Sequence, residues 1–205
     1  MLKRKGLLLV VSGPSGAGKG TICKALLNSN ENLKLSVSVT TRKSREGEVE
    51  GVNYYFIDNE KFNQLVEADE LLEYAHVYGN FYGTPKEKVI ENLEKGNDVI
   101  LEIEMKGAMQ VRERYPEGVF IFTLPPSLEE LKNRIVGRGT ETPEEIHKRL
   151  SSAYDEIKLI DNYDYFVINE EVATAVETIE NIIKCEKNKV ERYRDVILEK
   201  FEEEL

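Results

Sequence analysis

Leu7-Leu8-Leu9-Val10-Val11-Ser12-Gly13-Pro14-Ser15-Gly16-Ala17-Gly18-Lys19-Gly20-Thr21-Ile22 decides the fold. The apolar run Leu7 to Val11 reads as a strand buried on both faces, the usual state of a parallel strand. Gly13 to Lys19 then matches G-x-x-x-x-G-K, and Ile22, Ala25 and Leu26 show helical spacing. Strand, glycine loop, lysine and helix together make a phosphate-binding loop. Glycines let the backbone wrap closely enough to aim N–H groups at phosphate oxygens, and the helix start adds positive potential. Lys19 supplies a mobile charge for the β- and γ-phosphates of ATP. The expected ATP contacts are Gly13, Pro14, Ser15, Gly16, Ala17, Gly18, Lys19, Gly20 and Thr21.

The residue after the lysine is usually Ser or Thr, whose hydroxyl binds Mg²⁺. Here it is Gly20, followed by Thr21. Either Thr21 takes that role, directly or through water, or Mg²⁺ is held mainly by nucleotide and waters.

Outward from the loop, apolar segments at Val99–Ile103, Val119–Thr123 and Tyr165–Ile168 alternate with helical patterns, which predicts an α/β domain with a mostly parallel sheet. Ser127-Leu128-Glu129-Glu130 is a capping box after Pro125-Pro126, and Thr142-Pro143-Glu144-Glu145 is a second helix start. Residues 171 to 203 read as a charged helical close. Residues 36 to 84, rich in Thr, Tyr, Gly and Asn, predict an inserted, partly antiparallel subdomain with a helix near Lys61–Ala68. No repeat or low-complexity linker interrupts the chain.

The 205 residues carry 40% hydrophobic and 32% charged side chains, a composition for one soluble globular domain. No apolar run is long enough for a membrane span, and Leu7 to Val11 is too short for a signal peptide core, so a cytoplasmic location is expected. Cys23 and Cys185 stand far apart without motif partners, which predicts reduced packing residues. His76 and His147 lie outside any ligand-like cluster. A net charge of -10 disfavours a broad face for nucleic acid polymers, so any anion site must concentrate its cations locally.

Two such concentrations exist. Thr40-Thr41-Arg42-Lys43-Ser44-Arg45 sets two arginine forks three residues apart, with Tyr54 and Tyr82 able to donate to the same phosphate. Arg134, Arg138 and Arg149 bracket Gly137-Arg138-Gly139-Thr140, the pattern of a mobile lid carrying a cation. For any one of these residues, ordinary surface arginine is the plain alternative.

The series as a whole resembles guanylate kinase, the family that phosphorylates GMP with ATP. The resemblance runs over nearly the whole chain. It rests on Ser12 to Lys19, Ser36-Val37-Ser38-Val39-Thr40-Thr41-Arg42, Arg45-Glu46-Gly47-Glu48 and Gly79-Asn80-Phe81-Tyr82-Gly83-Thr84-Pro85. Pro125-Pro126-Ser127, Gly137-Arg138-Gly139-Thr140 and Lys148-Arg149-Leu150 complete it. It implies a P-loop NTPase-type parallel sheet core flanked by helices, with an inserted mixed α/β GMP-binding subdomain and a short helical lid. The core falls at about 1–35, 86–126 and 163–205, the GMP-binding subdomain at about 36–85 and the lid at about 134–155, all within one domain over 1–205. It places Ser38, Arg42, Arg45, Tyr54, Glu73, Tyr82, Thr84 and Glu104 around GMP. Lys19, Arg42, Arg138 and Arg149 are its catalytic set, with Arg134 and Asn169 on the ATP side.

On this resemblance one carboxylate, Glu73, reads the two adjacent donors of guanine, N1–H and the exocyclic amine, while Ser38 and Thr84 donate to O6. Adenine would meet the same carboxylate with a lone pair. Glu102 and Glu104, two apart on a strand Val99–Glu104, point to one face at the sheet's ligand end; the family pattern has Asp at both. No catalytic His or Asp is expected, because a phosphate monoester is already largely deprotonated at neutral pH. The partners implied are ATP with Mg²⁺, GMP and dGMP, without nucleic acid polymer or membrane. Whether the chain is a monomer or a homo-oligomer does not follow. Two other readings fit parts of the sequence: a non-catalytic guanylate kinase-like interaction module, and a kinase for another nucleoside monophosphate such as AMP.

Overall fold

The computed structural model describes residues 5–77, 79–137 and 143–204. The elements run β1 (Leu8–Ser12), α1 (Lys19–Ser29), β2 (Leu33–Leu35), β3 (Val39–Thr40), β4 (Tyr55–Phe56), α2 (Asn59–Glu67), β5 (Leu71–Val77) and β6 (Asn80–Pro85). They continue α3 (Lys86–Glu94), β7 (Asp98–Glu102), α4 (Met105–Arg114), β8 (Val119–Leu124), α5 (Leu128–Val136), α6 (Pro143–Ile157), a 3-10 turn at Ile160–Asn162, β9 (Tyr165–Ile168), α7 (Val172–Glu186) and α8 (Val190–Glu202).

Five strands form a parallel sheet in the order β2-β7-β1-β8-β9, with β1 at its centre. Side chains alternate across such a strand. Leu7, Leu9 and Val11 therefore enter one core with Ile22 and Leu26 of α1 and Ile179 and Ile183 of α7. Leu8 and Val10 enter the other, with Val89 and Leu93 of α3 and Ala108 and Val111 of α4. The uninterrupted apolar run is thus the sequence of a strand covered on both faces. The edge strand β9 departs from that expectation: only Val167 is buried, and Phe166 and Ile168 are 59% and 48% exposed. One of its two side-chain sets therefore meets water.

A second sheet, β4-β3-β6-β5, is mixed: β5, β6 and β3 are antiparallel neighbours and β4 joins parallel. Its own core is small, with Val39, Phe62 and Leu71 buried beneath half-buried Tyr55, Ile57 and Phe81. Helix α2 starts earlier than its apolar pattern suggests, because the Asp58 carboxylate accepts the Lys61 N–H. Ser127 caps α5 by accepting from Glu130 N, while the Glu130 carboxylate pairs with Arg134 instead of closing a reciprocal box. The predicted helical close at 171–203 is two helices broken at residues 187–189, where Asn188 N–H turns back to Cys185 O. Thr142 lies outside the described residues. Cys23 is buried, as a packing residue should be, whereas Cys185 is exposed on α7. Among the described residues no helix is long and apolar enough to cross a membrane.

Candidate active site

The loop between β1 and α1 needs backbone that only glycine adopts readily. Gly13 and Gly18 have φ of 143° and 92°, and Gly18 is the left-handed N-cap of α1. Space adds a second reason. A Cβ on Gly13 would run into Thr123 O, and one on Gly18 into the Asn169 amide. The Lys19 ammonium folds back over the loop, donating to Gly13 O at 2.6 Å and Pro14 O at 3.3 Å. The loop is fastened from behind by two residues distant in sequence. Asn169 donates to Ala17 O at 2.8 Å, and Arg134 donates to Ala17 O at 3.4 Å and Asn169 O at 2.9 Å.

Facing the loop is the β5–β6 hairpin. A register shift between Leu71 and Glu73 places three consecutive buried residues on β5. Leu71 enters the small core, Leu72 the large one, and Glu73 turns to a cavity. Glu73 is 5% exposed and accepts from its cross-strand partner Thr84 at 2.6 Å. Its other oxygen lies over Gly107 of α4, where a Cβ would stand 2.5 Å away. Burial pushes the Glu73 carboxyl above its ordinary range, and the Thr84 hydroxyl partly opposes that.

The arginine segment sits beside this hairpin. The Arg42 guanidinium lies 5.4 Å from the Tyr54 ring centre, and Tyr54 meets Tyr82 edge-on at 5.9 Å. Arg42 donates to Glu48 Oε1 at 2.7 Å, and Arg45 N–H donates to Glu48 Oε2 at 2.7 Å. One carboxylate thus ties both arginine positions together, and Arg42 holds the Glu48 carboxyl below its usual range.

A cavity of about 380 Å³ opens between the two sheets, and Lys19, Ser38, Tyr54, Glu73, Tyr82, Glu102 and Glu104 all line it. Glu102 ends β7, and Glu104 is the N-cap of α4 rather than a strand residue, so a turn brings both to one wall. The Glu102 carboxyl is raised by partial withdrawal from bulk water, with Lys19 opposing and Glu104 adding to the shift.

Not every expected residue reaches the cavity wall. Thr84 is fully buried under Glu73 and gives its proton to that carboxylate, so it is not free to donate to a base at the same time. Thr21 is exposed on α1, away from the cavity lining. Arg134 and Asn169 lie under the loop. Arg149 is half-buried on α6, which packs on α5 through Leu150, Ala153, Leu131 and Ile135. Arg138 lies outside the described residues. The structure adds Glu48, Asn53 and Gly107. Glu48 stands inside a quoted motif, but no spacing rule gives it a role. Gly107 sits in a plain helical stretch and leaves no local signal.

Known proteins resemble this chain over all or nearly all of its length. A protein-family model described as guanylate kinase matches residues 5–186. A guanylate kinase of Clostridioides difficile is 68% identical over 205 residues, covering 100% of both chains. One of Caldanaerobacter subterraneus subsp. tengcongensis is 57% identical, covering 98% of each. The crystal structure of guanylate kinase from Anaplasma phagocytophilum superposes with a TM-score of 0.77 at 38% identity, covering 98% of each chain.

Proposed function

Because the chain belongs to the guanylate kinase family, an ATP-dependent GMP-phosphorylating family, we propose a specific division of labour within its cavity. One observation carries it: a phosphate-loop lysine, Lys19, and a buried carboxylate, Glu73, line one cavity of about 380 Å³. The loop takes the ATP tail. Glu73 takes the guanine of GMP through N1–H and the exocyclic amine, held in position by the Thr84 hydroxyl. Arg42, Arg45, Tyr54 and Tyr82 hold the GMP phosphate, and Ser38 donates to the base.

A hydrated Mg²⁺ fits these residues, because Glu102 and Glu104 offer hard carboxylate oxygens at the wall that Lys19 lines. When bound it neutralises charge on the ATP phosphates. The chain's residues do the rest. A GMP phosphate oxygen forms its bond to the γ-phosphorus as the bond from that phosphorus to the β–γ bridging oxygen breaks, releasing ADP. Lys19 leaves Gly13 O and Pro14 O to follow the developing charge. Arg149, with Arg138 of the lid segment, offsets the repulsion between the two anions. No protein base is needed, since the acceptor's second pKa is about 6. Residues at about 36–85 act as the GMP-binding part and about 134–155 as the lid, against a core at about 1–35, 86–126 and 163–205. The enzyme works in the cytoplasm and accepts dGMP as well as GMP.

The test is ADP formation from Mg²⁺-ATP with GMP, dGMP, AMP, CMP and UMP offered separately. Activity confined to GMP and dGMP is expected. Preference for AMP would overturn the assignment of Glu73, and ATP binding without transfer to any acceptor would overturn the kinase reading itself.

A further inference from the structure

Two departures from the family pattern meet in space. One is Gly20, where the phosphate-loop motif usually carries a hydroxyl; the other is Glu102, where the pattern has the shorter Asp. Gly20 lies in the first turn of α1, and a Cβ built on it would stand 3.2 Å from Glu102 Oε1 and 3.5 Å from Oε2. That is tighter than side-chain carbons normally sit, so even a methyl group would make the carboxylate give way. A serine hydroxyl, one bond further out, needs the volume that the carboxylate fills. An aspartate would withdraw its oxygens by about 1.5 Å, one C–C bond, and free that volume. Among the described residues Glu102 has Lys19 and Glu104 as its charged neighbours and no hydrogen-bond donor. Its oxygens face the cavity, and Thr21, next along the helix, does not line that cavity.

We propose that Gly20 and Glu102 form one exchange unit. The Glu102 carboxylate occupies the place of the hydroxyl usual at position 20 and presents its oxygen to the Mg²⁺ carried by ATP, in place of Thr21. This rests on the reading that the loop holds Mg²⁺-ATP. The unit has two self-consistent settings, glycine with glutamate and hydroxyl with aspartate. Mixed settings either crowd two oxygens into one space or leave neither in reach.

The experiment is a double-mutant cycle on the full chain: wild type, G20S, E102D and G20S/E102D, with Mn²⁺ as the probe metal and no GMP present. Mn²⁺-ATP and metal-free ATP affinities are measured by calorimetry. The ligand-free thermal midpoint shows that each variant is folded, and G20A serves as the milder variant if G20S does not fold. Each single change is expected to weaken Mn²⁺-ATP binding about tenfold, while the double variant returns to within about threefold of wild type. The exchange is read from the ratio of Mn²⁺-ATP to metal-free ATP affinity in each protein, which removes any direct effect of G20S on the loop's own phosphate contacts. Thr21→Val is expected to cost less than about threefold. Losses that multiply in the double variant would overturn the exchange, as would an unaffected E102D. A tenfold loss in Thr21→Val would return the role to Thr21. Absence of Mn²⁺-ATP binding in the wild type would remove the phosphate-loop reading, a failure distinct from additivity.

Discussion

The phosphate loop and the Glu73 pocket face the same cavity but are built from opposite materials. The loop is backbone, shaped by left-handed glycines and seated on a strand, β1, buried on both faces. The pocket is side chain: a carboxylate, its hydroxyl partner and a glycine that makes room, on a sheet whose own core has three buried residues. Backbone amides hold phosphate whatever nucleoside carries it. A carboxylate and a hydroxyl can tell one base from another, because each wrong base leaves a buried group unpaired. The contrast assigns rate to the first region and choice to the second, and substitutions can break it.

The largest effect is expected from Lys19→Met. kcat should fall by about 10³, the scale of one lost charge stabiliser, with KM for GMP within about threefold of wild type. Steady-state ADP release measures both, and a large KM change with kcat intact would blur the division.

Glu73→Gln should lower kcat/KM for GMP by about 100-fold or more while leaving ATP affinity unchanged. It also carries a stability signature. Burial raises the Glu73 carboxyl, so its ionised form is penalised in the folded state. That penalty is absent below the ordinary carboxyl range and fully present above the raised value. The variant should therefore melt higher than wild type at pH 7. The gain should vanish near pH 4, and melting curves at the two pH values check it.

Glu48→Ala releases Arg42 and the Arg45 amide together and should raise KM for GMP about tenfold with little change in kcat. Initial rates over a GMP series decide this. Thr84→Ser keeps the donor to Glu73 and should stay within about threefold of wild type in kcat/KM for GMP, whereas Thr84→Val should not. This is the smallest effect and the sharpest probe of whether Thr84 works through the carboxylate.

The same contrast explains what could be read from the sequence. Leu7 to Lys19 states its structure locally: an apolar run, then glycines, then a lysine. The strands at Val119 and Tyr165 are similarly plain. Short strands such as β3 and β4, each two residues long, carry no period of their own. β3 forms because β6 offers a partner from about forty residues away, as when Thr40 and Tyr82 pair, and β4 then pairs with β3. Glu73 had no local mark as a buried carboxylate; only resemblance singled it out. The bulge that buries it depends on Leu71 and Leu72 packing into different cores. The break at residues 187–189 leaves no local mark, because Lys187-Asn188-Lys189 contains neither glycine nor proline.

The fastening of Ala17 has a consequence for how the protein is made. The phosphate loop leaves the ribosome before Asn169 and Arg134, which hold it from behind and follow much later, Asn169 by 152 residues. At ordinary elongation rates that interval is roughly 8 to 30 s. For the earlier part of it β1 also waits for β7 and β8, its partners on either side. The loop is therefore synthesised well before it is secured. A nascent polypeptide halted before Asn169 would carry the full nucleotide motif without the amide that holds Ala17 O at 2.8 Å.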